Sequence, residues 1–182
     1  PTYNTAVELY NPKNEPINLS NYIIRRTSNG SHWMETSWIR LDGILPANST
    51  YVISREASHQ SLKDYADFLD PDDFLKHTGD DGFKITTLEY LPESMALDTM
   101  AWLKMSLTLD DIGYANNDPG NAWDVSGVSE ATRYYILTRN ADICGGNGGD
   151  WNTSRGCVNN ACDSTSTELG EWTAIQCGLS PA

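Results

Sequence analysis

The chain has 182 residues, of which 39% are hydrophobic and 20% are charged, and its formal net charge is −13. This length allows one domain with an appreciable core, and the composition excludes a disordered chain, while no apolar run approaches the roughly 20 residues that cross a bilayer. The acidity argues against binding to nucleic acids and to anionic membranes, because phosphate groups are bound by clustered Lys and Arg.

The negative charge is concentrated in the middle of the chain. Between Ala57 and Asp124 there are fourteen Asp or Glu residues against four Lys, a net charge of −10. Such a surface favours solubility and would attract cations or basic partners. The chain opens on Pro1 with no signal peptide, which we interpret as a processed product or a piece of a longer protein.

The first third of the chain predicts short strands separated by turns. Val7 to Leu9 and Ile23 with Ile24 have strand-forming residues, and the stretch NPKNEPINLSN between them is rich in turn residues. Two further strands are expected around Trp38 to Leu45 and Tyr51 to Ile53, with turns at Asp42-Gly43 and Pro46.

Two segments interrupt this pattern and predict helical insertions. In residues 58–78, Leu62, Tyr65, Ala66 and Leu69 recur at helical spacing before Pro71, and a second short helical piece is expected at Asp72 to Lys76. Residues 92–106 are ambiguous between a helix and a strand.

The later strands are predicted at Phe83 to Thr87, Leu107 to Ile112, Arg133 to Arg139 and Glu171 to Ile175. Many short strands with frequent turn signals favour an all-β sandwich, and we expect one domain over residues 1–182. The six Trp residues could supply a sugar-stacking platform; for Trp33, Trp38, Trp151 and Trp172 we favour positions in the core.

All four cysteines fall in the glycine- and asparagine-rich part of the chain. Four cysteines allow three pairings, and we favour Cys157 with Cys162 and Cys144 with Cys177, so that residues 140–177 form a disulfide-stapled loop. The rival interpretation is a zinc site of four thiolates, but the sequence has no C-x-x-C pair. Disulfides indicate an oxidising compartment. Four N-x-S/T triplets in turn-like contexts are candidate glycosylation sites: Asn18, Asn29, Asn48 and Asn152.

One turn carries enough oxygen ligands for a structural calcium ion. Calcium takes six to eight oxygens from carboxylates and carbonyls, often from one loop. The candidate ligands surround Pro119-Gly120: Asp110, Asp111, Asn116, Asn117, Asp118 and Asp124. We favour a solvated acidic turn over a calcium site for these residues. No other cofactor is expected.

The order of several motifs resembles the lamin tail domain, an immunoglobulin-like β-sandwich. The opening stretch Val7 to Pro12, with its Asn-Pro turn, is the most specific match. The others follow in sequence: Ile17 to Tyr22, Leu45-Pro46, Tyr51 to Ile53, Asp80 to Phe83, Asp111 to Gly113, Trp123, Leu137 with Arg139, Trp151 and Trp172. The resemblance implies a binding or assembly module without catalytic residues of its own, and the late cysteines are absent from its nuclear members.

Catalytic patterns are not found in the sequence. His32, His59 and His77 belong to no H-E-x-x-H motif, and there is no nucleophile elbow or phosphate-binding loop. We therefore expect a non-enzymatic adhesion or assembly module, secreted or on the cell surface, that contacts other protein domains or itself. The alternative is a glycan-binding accessory domain of a secreted hydrolase or nuclease.

Overall fold

The computed structural model describes residues 4–33, 38–88, 107–156 and 170–176. These ranges contain eleven short strands, three one-turn α-helices and a short 3-10 helix at Leu19–Asn21, which confirms the all-β fold class. The strands are β1 Ala6–Tyr10, β2 Ile17–Asn18, β3 Tyr22–Thr27, β4 Trp38–Arg40, β5 Ile44–Leu45, β6 Thr50–Arg55, β7 Phe68–Asp70, β8 Gly82–Thr87, β9 Thr108–Ile112, β10 Tyr135–Arg139 and β11 Trp172–Gln176. The helices are α1 Gln60–Lys63, α2 Ala131–Tyr134 and α3 Trp151–Ser154.

The strands pair into four sheets. A four-stranded antiparallel sheet has the order β4-β3-β8-β9, and a three-stranded sheet has the order β1-β6-β7, in which β7 runs parallel to β6. Strands β2 with β5 and β10 with β11 form two-stranded antiparallel sheets.

The main core lies where the sheets meet. Strand β1 shows the period of two that a strand requires, since its alternate residues Val7 and Leu9 pack against this core. Ile53 on β6 is fully buried, and it packs in one cluster with Ile24 of β3 and Phe83 of β8. The three-stranded and four-stranded sheets therefore share one apolar core.

Asn11 links the opening turn to the next hairpin. The residue is fully buried, and its Nδ2 donates hydrogen bonds to the carbonyl oxygens of Glu15, Leu45 and Pro46. Its Oδ1 accepts a bond from the Lys13 amide. A buried amide with all these partners fixes a turn that has few backbone bonds of its own.

The helical prediction for residues 58–78 is correct only for its first turn. Helix α1 begins after His59, whose Nδ1 accepts a hydrogen bond from the Ser61 amide, so the cap is neither Ser58 nor Ser61. Leu69 lies in β7 and not in a helix, and Asp72 to Lys76 form a turn instead of a second helical piece. Tertiary contacts with β6 explain the difference, because they hold the chain after α1 as a strand. The Asp67 carboxylate accepts a hydrogen bond from the Val52 amide, and the Asp67 amide donates one to the Val52 carbonyl.

A second apolar cluster supports the late strands. Trp123, Val125, Ala131 and Trp151 are buried in it, and residues of β10 and β11 pack against it. The single-domain assignment and the disulfide-stapled loop stay predictions, and the segment 92–106 lies outside the described residues.

Candidate functional site

Strands β10 and β11 form an antiparallel ribbon with two different faces. The register pairs Ile136 with Ile175 and Thr138 with Thr173. The alternate residues face the second apolar cluster, and these are Tyr135, Leu137, Trp172 and Ala174. The Ile and Thr pairs therefore lie together on the outward face.

The outward face of this ribbon is exposed and carries no charge. Ile136 is 58% exposed and Ile175 is 37% exposed, while both threonines are also exposed. Two isoleucines and two threonines side by side make an uncharged surface with an apolar part at the isoleucine pair, in a chain whose net charge is −13. Within the described residues the ribbon pairs with no further strand. Exposed apolar faces and strand edges of this kind are characteristic of contact surfaces.

The ribbon is held rigidly from beneath. Trp172 donates a hydrogen bond from Nε1 to Ser154 Oγ at 2.8 Å and meets Trp151 edge to face, with 6.4 Å between centroids. The Arg139 guanidinium lies 4.3 Å from the Trp172 ring centroid. The edge-to-face contact, the Trp172 hydrogen bond and the Arg139 cation together hold the inner face of the ribbon in place.

Arg139 joins the ribbon to the edge of the four-stranded sheet. Its guanidinium contacts Asp110 Oδ1 of β9 at 2.5 Å and Glu171 Oε2 at 2.6 Å. Burial raises the pKa of Asp110, and the nearby Arg139 cation opposes that rise. The two carboxylates share one cation, so loss of Arg139 would leave both without it.

A row of charged side chains crosses the face of the four-stranded sheet that is turned away from the main core. Arg25 of β3 lies opposite Lys84 of β8, which lies opposite Asp111 of β9. Arg25 and Asp111 are buried, at 3% and 5% exposure, and Lys84 Nζ lies 4.6 Å from the centroid of the Trp33 ring. Asp111 Oδ1 is buried without a hydrogen-bond partner.

Burial shifts both members of the Lys84 and Asp111 pair towards their neutral forms. Burial raises the pKa of Asp111 to about 6, and the Asn147 side chain partly opposes this. Burial together with the Arg25 charge lowers the pKa of Lys84 to about 8. Desolvation disfavours the charged form of each group, which explains the opposite signs.

Asn147 fastens the glycine-rich loop to the free edge of β9. Its Oδ1 accepts a bond from the Asp111 amide at 3.1 Å, and its Nδ2 donates to the Asp111 carbonyl at 2.8 Å. The next residue continues the pairing, since the Gly148 amide donates to the Leu109 carbonyl. Gly146 approaches so closely that a Cβ there would lie 2.1 Å from the Leu109 oxygen. The loop thus covers an edge that would otherwise be open.

The structure does not gather the candidate calcium ligands into one site. Asp110 contacts Arg139 and Asp111 faces Lys84, while Asp118 accepts a bond from the Gly120 amide and Asp124 from the Glu130 amide. Among the described residues no three His, Cys, Asp or Glu side chains lie close enough to hold a metal ion. Asn116 has a left-handed backbone with φ 58°, and Asn117 lies beside Gly30. The calcium site stays a prediction without support from these contacts.

The remaining sequence candidates fall in different environments. Asn18, Asn29 and Asn48 are exposed, whereas Asn152 is half-buried and its Oδ1 accepts bonds from Arg155. Cys144 is exposed; its predicted partner Cys177, and the predicted pair Cys157 and Cys162, lie outside the described residues. The disulfides and the glycosylation sites stay predictions.

The four tryptophans assigned to the core divide into two groups. Trp151 is fully buried, as expected, and Trp172 is half-buried against it. Trp38 is 48% exposed, so the core assignment is wrong for this residue. Trp33 is half-buried over Lys84.

Sequence reasoning missed both the ribbon face and the Lys84–Asp111 pair. The sequence signal for the ribbon face is the alternation of residues in each strand. It places Ile136 and Thr138 on one side of β10, and Thr173 and Ile175 on one side of β11. Both segments were assigned as strands, but only their register shows that the two faces join. The same holds for Lys84 and Asp111, which become neighbours only when β8 pairs with β9.

Comparisons with known proteins returned no matching family model, no matching curated protein and no matching solved structure. Within the described ranges, every helix is too short or too polar to cross a membrane.

Proposed function

We propose that this chain is a non-enzymatic assembly module of an extracellular or cell-surface protein, with an immunoglobulin-like sandwich of the lamin-tail type. The fold assignment is supported by the strand at Ala6–Tyr10, the buried Asn11 in its Asn-Pro turn, and the shared core of the larger sheets. The exposed asparagines of three N-x-S/T triplets and the four cysteines agree with an oxidising compartment.

The observation that carries the proposal is the uncharged outward face of the β10–β11 ribbon. Burying Ile136 and Ile175 against a partner would stabilise a complex, because each removes apolar area from water and neither brings a charge with it. The inner face is already occupied by the second apolar cluster. The outward face is therefore the part of the ribbon that is available for contact.

The partner that fits this face is a second copy of the chain. A basic partner would be attracted by acidic side chains, and this face has none. Two copies can meet face to face without burying a charge. If the β10 strands of the two copies run antiparallel, the end with the exposed Arg133 in one copy approaches the end with the exposed Asp142 in the other. The two-fold symmetry of such a dimer repeats this approach at the opposite end. Stable interfaces bury about 800 Å² per partner, and a face of four side chains offers less area than that. We therefore expect a weak dimer.

Sedimentation equilibrium of the purified chain tests this proposal. We expect a reversible dimer that becomes stronger as salt is raised, because screening weakens the repulsion between two acidic copies. Ile136→Lys should abolish the dimer. The matched control is Ile44→Lys, which introduces the same charge at a strand residue that is 62% exposed in β5.

Two results would contradict the proposal. The first is a chain that stays monomeric at high concentration and high salt, and the second is equal weakening of the dimer by both variants. Binding of the monomer to a glycan array would instead favour the accessory-domain alternative.

A further inference from the structure

Lys84 and Asp111 are direct neighbours across two strands and share one face of the sheet. They are register partners in the antiparallel pair of β8 and β9. Directly opposed residues in such a pair have Cβ atoms about 4.5–5.5 Å apart. A lysine side chain is long enough to span that separation, so a change of side-chain rotamer would bring Nζ from the Trp33 ring to Asp111 Cγ without movement of either strand.

The two side chains lie away from the main core but are shielded from water. Phe83 and Ile85, the neighbours of Lys84 on β8, point into the main core, which places Lys84 on the opposite face. There Nζ lies on the Trp33 ring, and a Cβ at Gly82 would lie 3.1 Å from the same ring. Asp111 is 5% exposed, and one of its carboxyl oxygens has no hydrogen-bond partner.

We propose that Lys84 Nζ and Asp111 Cγ join in an intramolecular isopeptide bond between β8 and β9. The neutral amine attacks the carbonyl carbon of the neutral carboxylic acid, and a C–N bond forms. The C–O bond to the hydroxyl group breaks, and the amine proton leaves with that hydroxyl as one molecule of water. No oxidant, reductant or co-substrate is required. The reaction occurs once per chain and is not turnover, and it does not depend on the ribbon contact.

Burial raises the population of the reactive pair. With a pKa of about 8 for Lys84 and about 6 for Asp111, each group taken alone is neutral in roughly 10% of molecules at pH 7, against roughly 0.1% or less at its ordinary pKa. Desolvation of this kind activates lysine nucleophiles, and a fixed register supplies the high effective concentration of an intramolecular reaction.

The surrounding charges also favour a neutral pair. Arg25 of β3 faces Lys84 from the other side and disfavours the ammonium form. Asp110 and Asp150 both raise the pKa of Asp111, while the hydrogen bond from Asn147 and the charge of Lys84 lower it. Replacing the two charges by an amide would remove the buried charges and leave the amide oxygen as an acceptor.

Intact-mass spectrometry of the purified, reduced full chain tests the bond. We expect the wild-type chain to weigh one water less than its sequence, and proteolysis to give a branched peptide that joins the segments containing Lys84 and Asp111. A sample kept in denaturant from synthesis onwards should have the full mass, because the unfolded chain does not hold the two groups together. Lys84→Arg should have the full mass when folded, whereas the matched control Lys76→Arg, at an exposed lysine, should still lose one water.

Succinimide formation at an Asp-Gly pair also removes water, and the chain has such pairs at Asp42-Gly43 and Asp81-Gly82. The branched peptide and the Lys84→Arg variant separate the two reactions.

Asp111→Asn provides a second variant. Attack of Lys84 on the side-chain amide of Asn would release ammonia and form the same bond. The linked variant would therefore have the same final mass as the linked wild type. A folded wild-type chain that keeps its full mass would overturn the proposal, as would a loss of water that persists in folded Lys84→Arg.

Discussion

His77 makes the stability of the fold depend on pH in a predictable direction. Its ring meets Phe83 edge to face at 5.2 Å between centroids, and its Nδ1 is buried without a hydrogen-bond partner. Burial, reinforced by the charges of Arg26 and Arg55, lowers the pKa of His77 from 6.5 to about 4, and Asp80 opposes this. The unfolded chain therefore takes up a proton at higher pH than the folded chain does.

The magnitude follows from the difference of about 2.5 pKa units, which corresponds to about 3 kcal/mol. Above pH 6.5 the neutral ring contributes this stability in full, and the contribution is lost as the pH falls from 6.5 to 4. His77→Leu cannot take up a proton at this position. We expect its free energy of unfolding to rise relative to that of wild type by about 2 kcal/mol as the pH falls from 8 to 5, and by about 3 kcal/mol by pH 4.

Urea unfolding of both proteins at each pH measures this difference and cancels the shared titration of the other acidic groups. His32→Leu, at an exposed position, is the matched control and should show no such trend. An NMR titration of the imidazole supplies an independent value. The reasoning is refuted if the stability difference between His77→Leu and wild type is the same at pH 8 and pH 4, or if His77 titrates near 6.5.

Three further predictions concern the links between elements. Arg139→Gln should lower the free energy of unfolding by about 3 kcal/mol, because it leaves Asp110 and Glu171 without their shared cation; urea unfolding measures it, and a loss below about 1 kcal/mol would contradict it. Asn11→Ala should lower the free energy of unfolding by about 2 kcal/mol or more in the same assay, since several buried groups lose their hydrogen-bond partner. Asn11→Asp should lower it by a similar amount because the carboxylate has no N–H donor. An unchanged free energy of unfolding in either variant would count against the role given to this turn. A structural calcium ion would raise the melting temperature relative to chelator, and an unchanged value would remove that hypothesis.

Most of the strands could be predicted because their information is local. Alternating or β-branched residues between turn signals correctly place β1, β8 and β11 within one or two residues. The error at Leu69 has a different origin. The spacing of Leu62, Tyr65, Ala66 and Leu69 suits a helix, but Asp67 pairs with Val52 of β6 and continues into a parallel strand. Tertiary pairing overrides local periodicity there.

The candidate sites could not be predicted because they depend on register. Ile136 and Ile175 lie in strands separated by the cysteine-containing loop, and no local pattern tells which residue of one strand faces which residue of the other. Asp111 was identified in the sequence as one acid among several in a polar turn. Its burial and its position opposite Lys84 depend on the pairing of β8 with β9.

Strand β9 connects the two proposals physically. The ribbon that carries the proposed contact is bound to β9 through Arg139 and Asp110, and the glycine-rich loop is bound to it through Asn147. A force applied at the ribbon face would therefore be passed in part to β9, the edge strand of its sheet. Backbone hydrogen bonds to β8 resist that force, and they can be broken one at a time. A covalent bond from Lys84 to Asp111 would hold β9 in place after those hydrogen bonds had failed, which is the property that an assembly module under load requires.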